Sequence, residues 1–164
     1  MLAPSHHQLI SNLIESELTI GDQIRFSVTS NSMQHILQIG DSVIAEVIPN
    51  TDVNLGDIIV IKRMDDFLTH RVISKSVDGW STKGDNNVML DPPIQKENYI
   101  GRVRIVQKTN QVIVFESSKW RWANKLLARL GELETRAFFH HRFLRLPFRI
   151  CSKGVQKLSM LNLG

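Results

Sequence analysis

The pattern of apolar and polar positions predicts a β-rich region in the first two thirds of the chain. Residues 24–30 alternate apolar and polar side chains, which is typical of a half-buried strand. Six further segments rich in Val and Ile also predict strands: 42–48, 57–63, 67–74, 79–83, 99–108 and 111–116. Turn-forming residues separate these segments, and Asp65-Asp66 predicts a tight hairpin. Many short strands at regular spacing indicate a mainly β fold, built as a small barrel or coiled sheet.

Two flanking segments show helical periodicity instead. Residues 6–18 predict a short amphipathic helix. From Lys119 onward, apolar side chains recur every three or four residues, which predicts a helix over 119–145 that Pro147 ends. A shorter basic amphipathic piece is expected to follow. We therefore divide the chain into an N-terminal amphipathic helix (1–23), a β-rich domain (24–118) and a basic amphipathic helical extension (119–164).

Composition is that of a globular protein. Hydrophobic residues make up 42% and charged residues 22% of the 164 residues, which argues against disordered and fibrous classes. Cys151 is the single cysteine, so the fold does not depend on an internal disulfide. No Cys or His cluster has the spacing of metal ligands. We expect neither a metal nor a cofactor.

Charge is distributed unevenly along the chain. Residues 1–118 carry 10 Lys and Arg against 14 Asp and Glu, whereas residues 119–164 carry 10 against 2. The basic character therefore belongs to the extension, whose amphipathic pattern suits the surface of an anionic membrane. A helix packed on the β domain with a solvated basic face is the alternative. No segment has the length of a membrane span or of a secretory signal, so we expect a cytoplasmic or peripherally membrane-associated chain.

Three short segments carry residues suited to nucleophilic catalysis. Ser32 follows a predicted strand and lies in a turn, where a hydroxyl and backbone N–H groups can face a bound molecule. His70 lies within a strand and can serve as the base that a serine hydroxyl requires near neutral pH. Asp85 and Asp91 follow the next strand, and either can orient an imidazole. Taken singly, each segment is also compatible with a purely structural role.

In their order and spacing, the three segments resemble the conserved boxes of type I signal peptidases. The similarity covers about residues 24–106 and is greatest to the Ser-His branch of the endoplasmic reticulum and archaea. The matching residues are Ser32 in the serine box, His70-Arg71-Val72 in the base strand and Lys83-Gly84-Asp85-Asn86-Asn87 in the third box. The resemblance implies a β-sheet serine peptidase that cuts a leader or signal-like segment of another protein.

The same resemblance implies a role for each matching residue. Ser32 corresponds to the nucleophile and His70 to the general base. Asp91 corresponds to the third member of the triad, with Asp85 as the other required carboxylate. Ser30 corresponds to the hydroxyl that completes the oxyanion hole with the Ser32 N–H. An extended peptide with small side chains near the cut is the implied substrate.

The chain departs from the family pattern at three places. Asn31 stands where Gly usually precedes the nucleophile, and His35 stands where Pro usually follows it. Asn tolerates a left-handed backbone better than most residues, so we expect Asn31 to preserve the turn. The N-terminal membrane anchor of the family is not expected, because a polar amphipathic segment takes its place.

Two other functions fit the same sequence. One is a self-cleaving regulator of the SOS-repressor type, which shares the β fold but uses lysine where this chain has His70. The other is a non-catalytic β module whose basic tail binds lipid or nucleic acid. The residues before the first strand are too few for a helix-turn-helix domain, and we do not expect nucleic acid as the main partner.

Overall fold

The computed structural model describes residues 18–64, 66–140 and 145–160. The described residues form one antiparallel sheet of eight strands with two helices beside it, and the predicted mainly β fold is confirmed. Strands β1 to β8 span Gln23–Ser27, Ser42–Glu46, Ile58–Arg63, Asp66–Lys75, Gly79–Lys83, Ile94–Gln95, Tyr99–Gln107 and Val112–Val114. The helix expected over 6–18 lies almost wholly outside the described residues.

The sheet is organised around its long strand β7. The strand order is β1-β2-β7-β3-β4-β5-β6, and β8 also pairs with β7. β3 covers the first part of one edge of β7 and β8 covers the last part, so the sheet branches along that strand. Within the described residues, β1 pairs with β2 alone, which leaves its outer edge open.

Besides shifts of up to three residues at strand ends, the structure differs from the strand predictions at one hairpin and in one additional strand. The hairpin between β3 and β4 was expected to turn at Asp65-Asp66. In the structure Arg63 pairs with Asp66, so the turn begins one residue earlier, at Met64, which has a φ of 55°. β6 was not predicted. It contains two residues that pair with Gly79 and Trp80 of β5, and so short a strand leaves no periodic signal in the sequence.

Both faces of β3 are buried, which explains its uninterrupted apolar sequence. Ile58 and Val60 point into the larger of two hydrophobic clusters, which also contains side chains of β2, β7 and the first helix. Ile59 and Ile61 point into a smaller cluster with Val72 and Trp80. Because β4 pairs with this central strand, residues near the middle of β4 are held in a rigid environment.

Two helices follow the sheet: α1, Ser118–His140, and α2, Arg145–Met160. Trp120, Ala123 and Leu127 of α1 belong to the larger cluster, so the extension packs on the β domain. The prediction that Pro147 ends the first helix is wrong. Pro147 lies in the first turn of α2, where a missing N–H breaks no helical hydrogen bond. Among the described residues, neither helix is apolar enough over a sufficient length to cross a membrane.

Candidate active site

Ser32 lies in a bend of the chain that links β1 to β2. The bend is closed at its base, where Val28 N–H donates to Asp41 O and Gly40 N–H donates to Val28 O. Three apolar side chains within it are buried in the larger cluster: Met33, Ile36 and Leu37. These anchors fix the bend against the core, while Ser32 itself stays half-buried.

The Ser32 hydroxyl contacts a second hydroxyl. Ser30 Oγ lies 3.1 Å from Ser32 Oγ, so two residues that the sequence assigned to one site are neighbours. In the described part of the chain, the Ser32 N–H donates to no acceptor. A free backbone N–H beside a serine hydroxyl is the arrangement that an oxyanion hole uses.

The bend achieves its shape differently from the way expected. Besides Gly40, the described residue of the bend with a positive φ is His35, at 90°, whereas Asn31 is not among the residues with positive φ. Proline, whose φ is fixed near −65°, cannot adopt that conformation. The backbone of this bend therefore excludes a Pro at position 35. Partial burial lowers the pKa of His35, and the positive charges of Lys153 and Arg149 lower it further.

His70 is buried in the middle of β4 and is held by a carboxylate. Its Nδ1 lies 2.6 Å from Asp91 Oδ2, and the two side chains are 3% and 9% exposed. Thr82 donates its hydroxyl to the same carboxylate oxygen at 2.7 Å and accepts the Asp91 N–H through its carbonyl. Because an ionised carboxylate can only accept, Nδ1 carries a proton, and in the neutral imidazole Nε2 then carries the lone pair.

The lone pair of His70 Nε2 faces the serine bend. Within the described residues this buried atom has no hydrogen-bond partner. A Cβ placed on Gly84 would lie 2.9 Å from His70 Nε2 and 2.7 Å from Ser32 O. The imidazole and the serine backbone therefore meet on either side of Gly84, and the absence of a side chain there permits their approach.

Ser32 and His70 come together without a hydrogen bond between their side chains in the described structure. Ser32 Oγ contacts Ser30 Oγ, and His70 Nε2 is unpaired. Catalytic hydrogen bonds are often long or unmade before substrate binds. The backbone brings Ser32 and His70 close to each other, on either side of Gly84.

Asp85 lies elsewhere in the site and holds a different residue. Both of its carboxylate oxygens accept from Arg71, from Nε and Nη2, at 2.8 Å each. Arg71 is fully buried, and its Nη1 donates to Gly56 O and Asn124 Oδ1. Of the two aspartates considered for orienting His70, the structure therefore places Asp91 beside the imidazole and uses Asp85 to neutralise a buried guanidinium.

Sequence reasoning missed the role of Arg71, although a signal for it was present. Strand alternation puts Arg71 on the opposite face from His70, in a strand flanked by apolar residues. A charged side chain in such a place needs a carboxylate partner. Asn124 carried no comparable signal, because a polar residue on a long helix is ordinary.

The third box is also held by the two helices. Residues 83–88 are bonded to α1 and α2 at four points: Lys83 to Glu134, Asp85 to Gln156, Asn86 to Arg149 and Val88 O to Thr135. Lys83 and Glu134 are 2.6 Å apart and almost fully buried, so this lysine is engaged in an ion pair with α1.

Neither the models of protein families nor the sequences of curated proteins match this chain.

Proposed function

We propose that this chain is a serine endopeptidase of the signal-peptidase type that cuts a leader or signal-like segment of another protein. Ser32 acts as nucleophile, His70 as general base and Asp91 as the group that orients the imidazole. Ser30 Oγ and the Ser32 N–H receive the negative charge of the tetrahedral intermediate. Asp85 supports the site through Arg71 and does not take part in proton transfer.

The observation that carries this proposal is the state of His70. Its Nδ1 is bonded to Asp91 Oδ2, and its Nε2 is buried, unpaired among the described residues and directed at the Ser32 bend. A buried polar atom without a partner costs free energy and calls for an explanation. A base that awaits the proton of a serine hydroxyl supplies one.

The chemistry follows from that arrangement. Ser32 Oγ rotates from Ser30 toward His70 Nε2 and attacks the peptide carbonyl, while Nε2 takes its proton. Asp91 stabilises the resulting imidazolium. His70 then gives the proton to the leaving amine, and an acyl-enzyme on Ser32 remains. A water molecule, deprotonated by Nε2, hydrolyses the ester and restores the serine hydroxyl.

The open edge of β1 supports an extended peptide as substrate. β1 leads through Val28 directly to Ser30 and Ser32, and its outer edge pairs with no described strand. An exposed strand edge binds an extended segment through main-chain hydrogen bonds. A peptide added there would run toward the serine hydroxyl.

Incubation with a peptide library, with cut sites identified by mass spectrometry, tests the proposal. The wild-type chain should cleave, and Ser32→Ala should lose roughly 10⁴-fold or more of the rate. Ser74→Ala provides the matched control, because Ser74 is exposed near the end of β4 and does not belong to the strand proposed to bind the peptide. Cleavage by Ser32→Ala at the wild-type rate would refute the assignment.

Attachment to an anionic membrane is a second function with an observation of its own. In α2, the polar residues Gln156 and Ser159 are buried, while Ile150 and Leu158 are 61% and 68% exposed beside lysines. A helix normally buries its apolar residues. Apolar residues next to cations on an exposed face are suited to an anionic lipid surface.

Sedimentation with phosphatidylserine-containing liposomes tests the membrane function independently of catalysis. The wild-type chain should co-sediment, and Ile150→Ser with Leu158→Ser should reduce binding. Liposomes of neutral lipid provide the control for the charge component. Equal binding by wild type and the double variant would contradict a membrane role for this face.

A serine-reactive probe separates a peptidase from a non-catalytic module, since only a peptidase is labelled at Ser32.

A further inference from the structure

We propose that α2 is part of the proposed active site and that Arg149 is a positioning residue for Ser32. The inference rests on the proposed function, since it concerns how the nucleophile is held. α2 belongs to the extension, for which the family resemblance predicts no role. The helix nevertheless contacts Asn86 of the third box, and Asn86 is hydrogen-bonded to Ser32.

The link between helix and nucleophile runs through Asn86. Arg149 Nη2 donates to Asn86 O at 3.1 Å and to Asn86 Oδ1 at 2.5 Å. Asn86 N–H in turn donates to Ser32 O at 2.8 Å, and its side-chain amide donates to Asn31 O at 3.2 Å. The asparagine is thus fixed by the helix on one side and fixes the backbone of the serine on the other.

The remaining contacts of Arg149 keep its side chain directed at the third box. Its Nε lies 3.8 Å from Glu134 Oε1 on α1, and Glu134 forms the buried pair with Lys83. The Arg149 side chain is 33% exposed, so its hydrogen bonds are partly shielded from water. Nη2 carries two coplanar N–H bonds, and this planar fork of donors can contact both oxygens of Asn86 at once.

The consequence concerns the rate of the chemical step. The serine bend is anchored to the core by apolar residues on one side, and Asn86 holds the Ser32 and Asn31 carbonyls on the other. Removing the Arg149 fork lets Asn86, and with it the Ser32 backbone, shift relative to His70. A displacement of about 1 Å at a nucleophile can cost about 10²-fold in rate. Binding of a peptide along β1 does not involve these contacts.

Steady-state kinetics of the full chain on a cleaved library peptide tests the inference. Arg149→Ala should lower kcat by about 10- to 100-fold and leave KM within about threefold. Arg149→Lys, which keeps the charge but lacks the fork, should recover part of the loss. Lys157→Ala removes the same charge from an exposed position of the same helix and should retain the wild-type kcat. Urea unfolding establishes that each variant is folded.

A double-mutant cycle tests the route through Asn86. Asn86→Ala should lower kcat as Arg149→Ala does, and the double variant should lose little more than the larger single loss. Asn86 lies in a loop, so its variant reports on the route even if Arg149→Ala does not fold. Wild-type kcat in either folded single variant, an equal loss in Lys157→Ala, or fully additive losses would overturn the inference. Absence of cleavage by the wild-type chain would instead refute the proposed function.

Discussion

His70 and Asp91 are 21 residues apart in the chain, and their side chains meet through Nδ1 and Oδ2 at 2.6 Å. β4 supplies the histidine, and Thr82 of the neighbouring strand holds the aspartate through two hydrogen bonds. Asp85 is nearer to His70 in sequence but is bonded to Arg71. The structure therefore separates two carboxylates that the sequence left as alternatives, and substitution can distinguish their roles.

Asp91→Asn should mainly lower the cleavage rate, whereas Asp85→Asn should mainly lower the stability of the fold. An amide at position 91 can present an N–H to the imidazole and favour the wrong tautomer, so the cleavage rate should fall by about 10⁴-fold with little change in stability. An amide at position 85 leaves the buried Arg71 uncompensated, which should lower the free energy of unfolding by about 3–5 kcal/mol. Peptide cleavage and urea unfolding measure the two effects. Loss of stability in Asp91→Asn alone would contradict the division of roles.

Ser30→Ala should lower kcat by about 10²- to 10³-fold if Ser30 donates to the oxyanion. KM should change little, because the hydroxyl acts on charge that develops in the transition state. Ser74→Ala, at an exposed position of β4, provides the control and should leave both constants unchanged. A rise in KM at constant kcat would instead assign Ser30 to ground-state binding.

Gly84→Ala should impair the site through a steric clash. The new methyl group would lie within 3 Å of Ser32 O, Asn87 Nδ2 and His70 Nε2, so the imidazole and the serine bend must move apart. We expect a strong loss of kcat and of Ser32 labelling by a serine-reactive probe.

Gly154→Ala is the matched control for that substitution. A Cβ at Gly154 has nothing within 4 Å, and Ala in an exposed helix is favoured over Gly by about 1 kcal/mol. The control should be slightly more stable than wild type and equally active. Full activity in Gly84→Ala would show that the His70 imidazole and the serine bend need not meet beside Gly84.

Asp57→Asn should change how stability depends on pH. Burial raises the pKa of Asp57 above its ordinary value of 3.8, although the Asn54 N–H and the nearby Arg102 oppose the shift. The folded state therefore binds this proton more tightly than the unfolded state does. The stabilisation from Asp57 is complete below pH 3.8 and is lost as pH rises through the folded-state pKa.

Asparagine removes that titration while keeping an oxygen for the Asn54 N–H. The stability of Asp57→Asn relative to wild type should be greater at about pH 7 than at about pH 4, as urea unfolding at both pH values will measure. Asp52→Asn, at an exposed position in the preceding turn, serves as the control. If the stability difference between Asp57→Asn and wild type were the same at both pH values, burial of Asp57 would not be a cause of the pH dependence of stability.

Local patterns in the sequence determined most of the fold. Alternation and β-branched content predicted seven of the strands within a few residues, because both are properties of short segments. The resemblance of the serine, histidine and aspartate segments to a known family predicted one site, in which His70 contacts Asp91 and not Asp85, and the catalytic role of that site stays a prediction. Pro147 was misread, because the same residue that ends one helix is equally suited to begin the next.

Only the tertiary structure decided which groups touch. The choice between Asp91 and Asp85, the left-handed backbone at His35 and the hold of α2 on Asn86 all depend on contacts between segments far apart in the chain. A carboxylate, an imidazole or a guanidinium has the same local sequence signal whatever its partner. Its partner is determined by how the sheet coils and where the helices pack, and those follow from burial of the whole core.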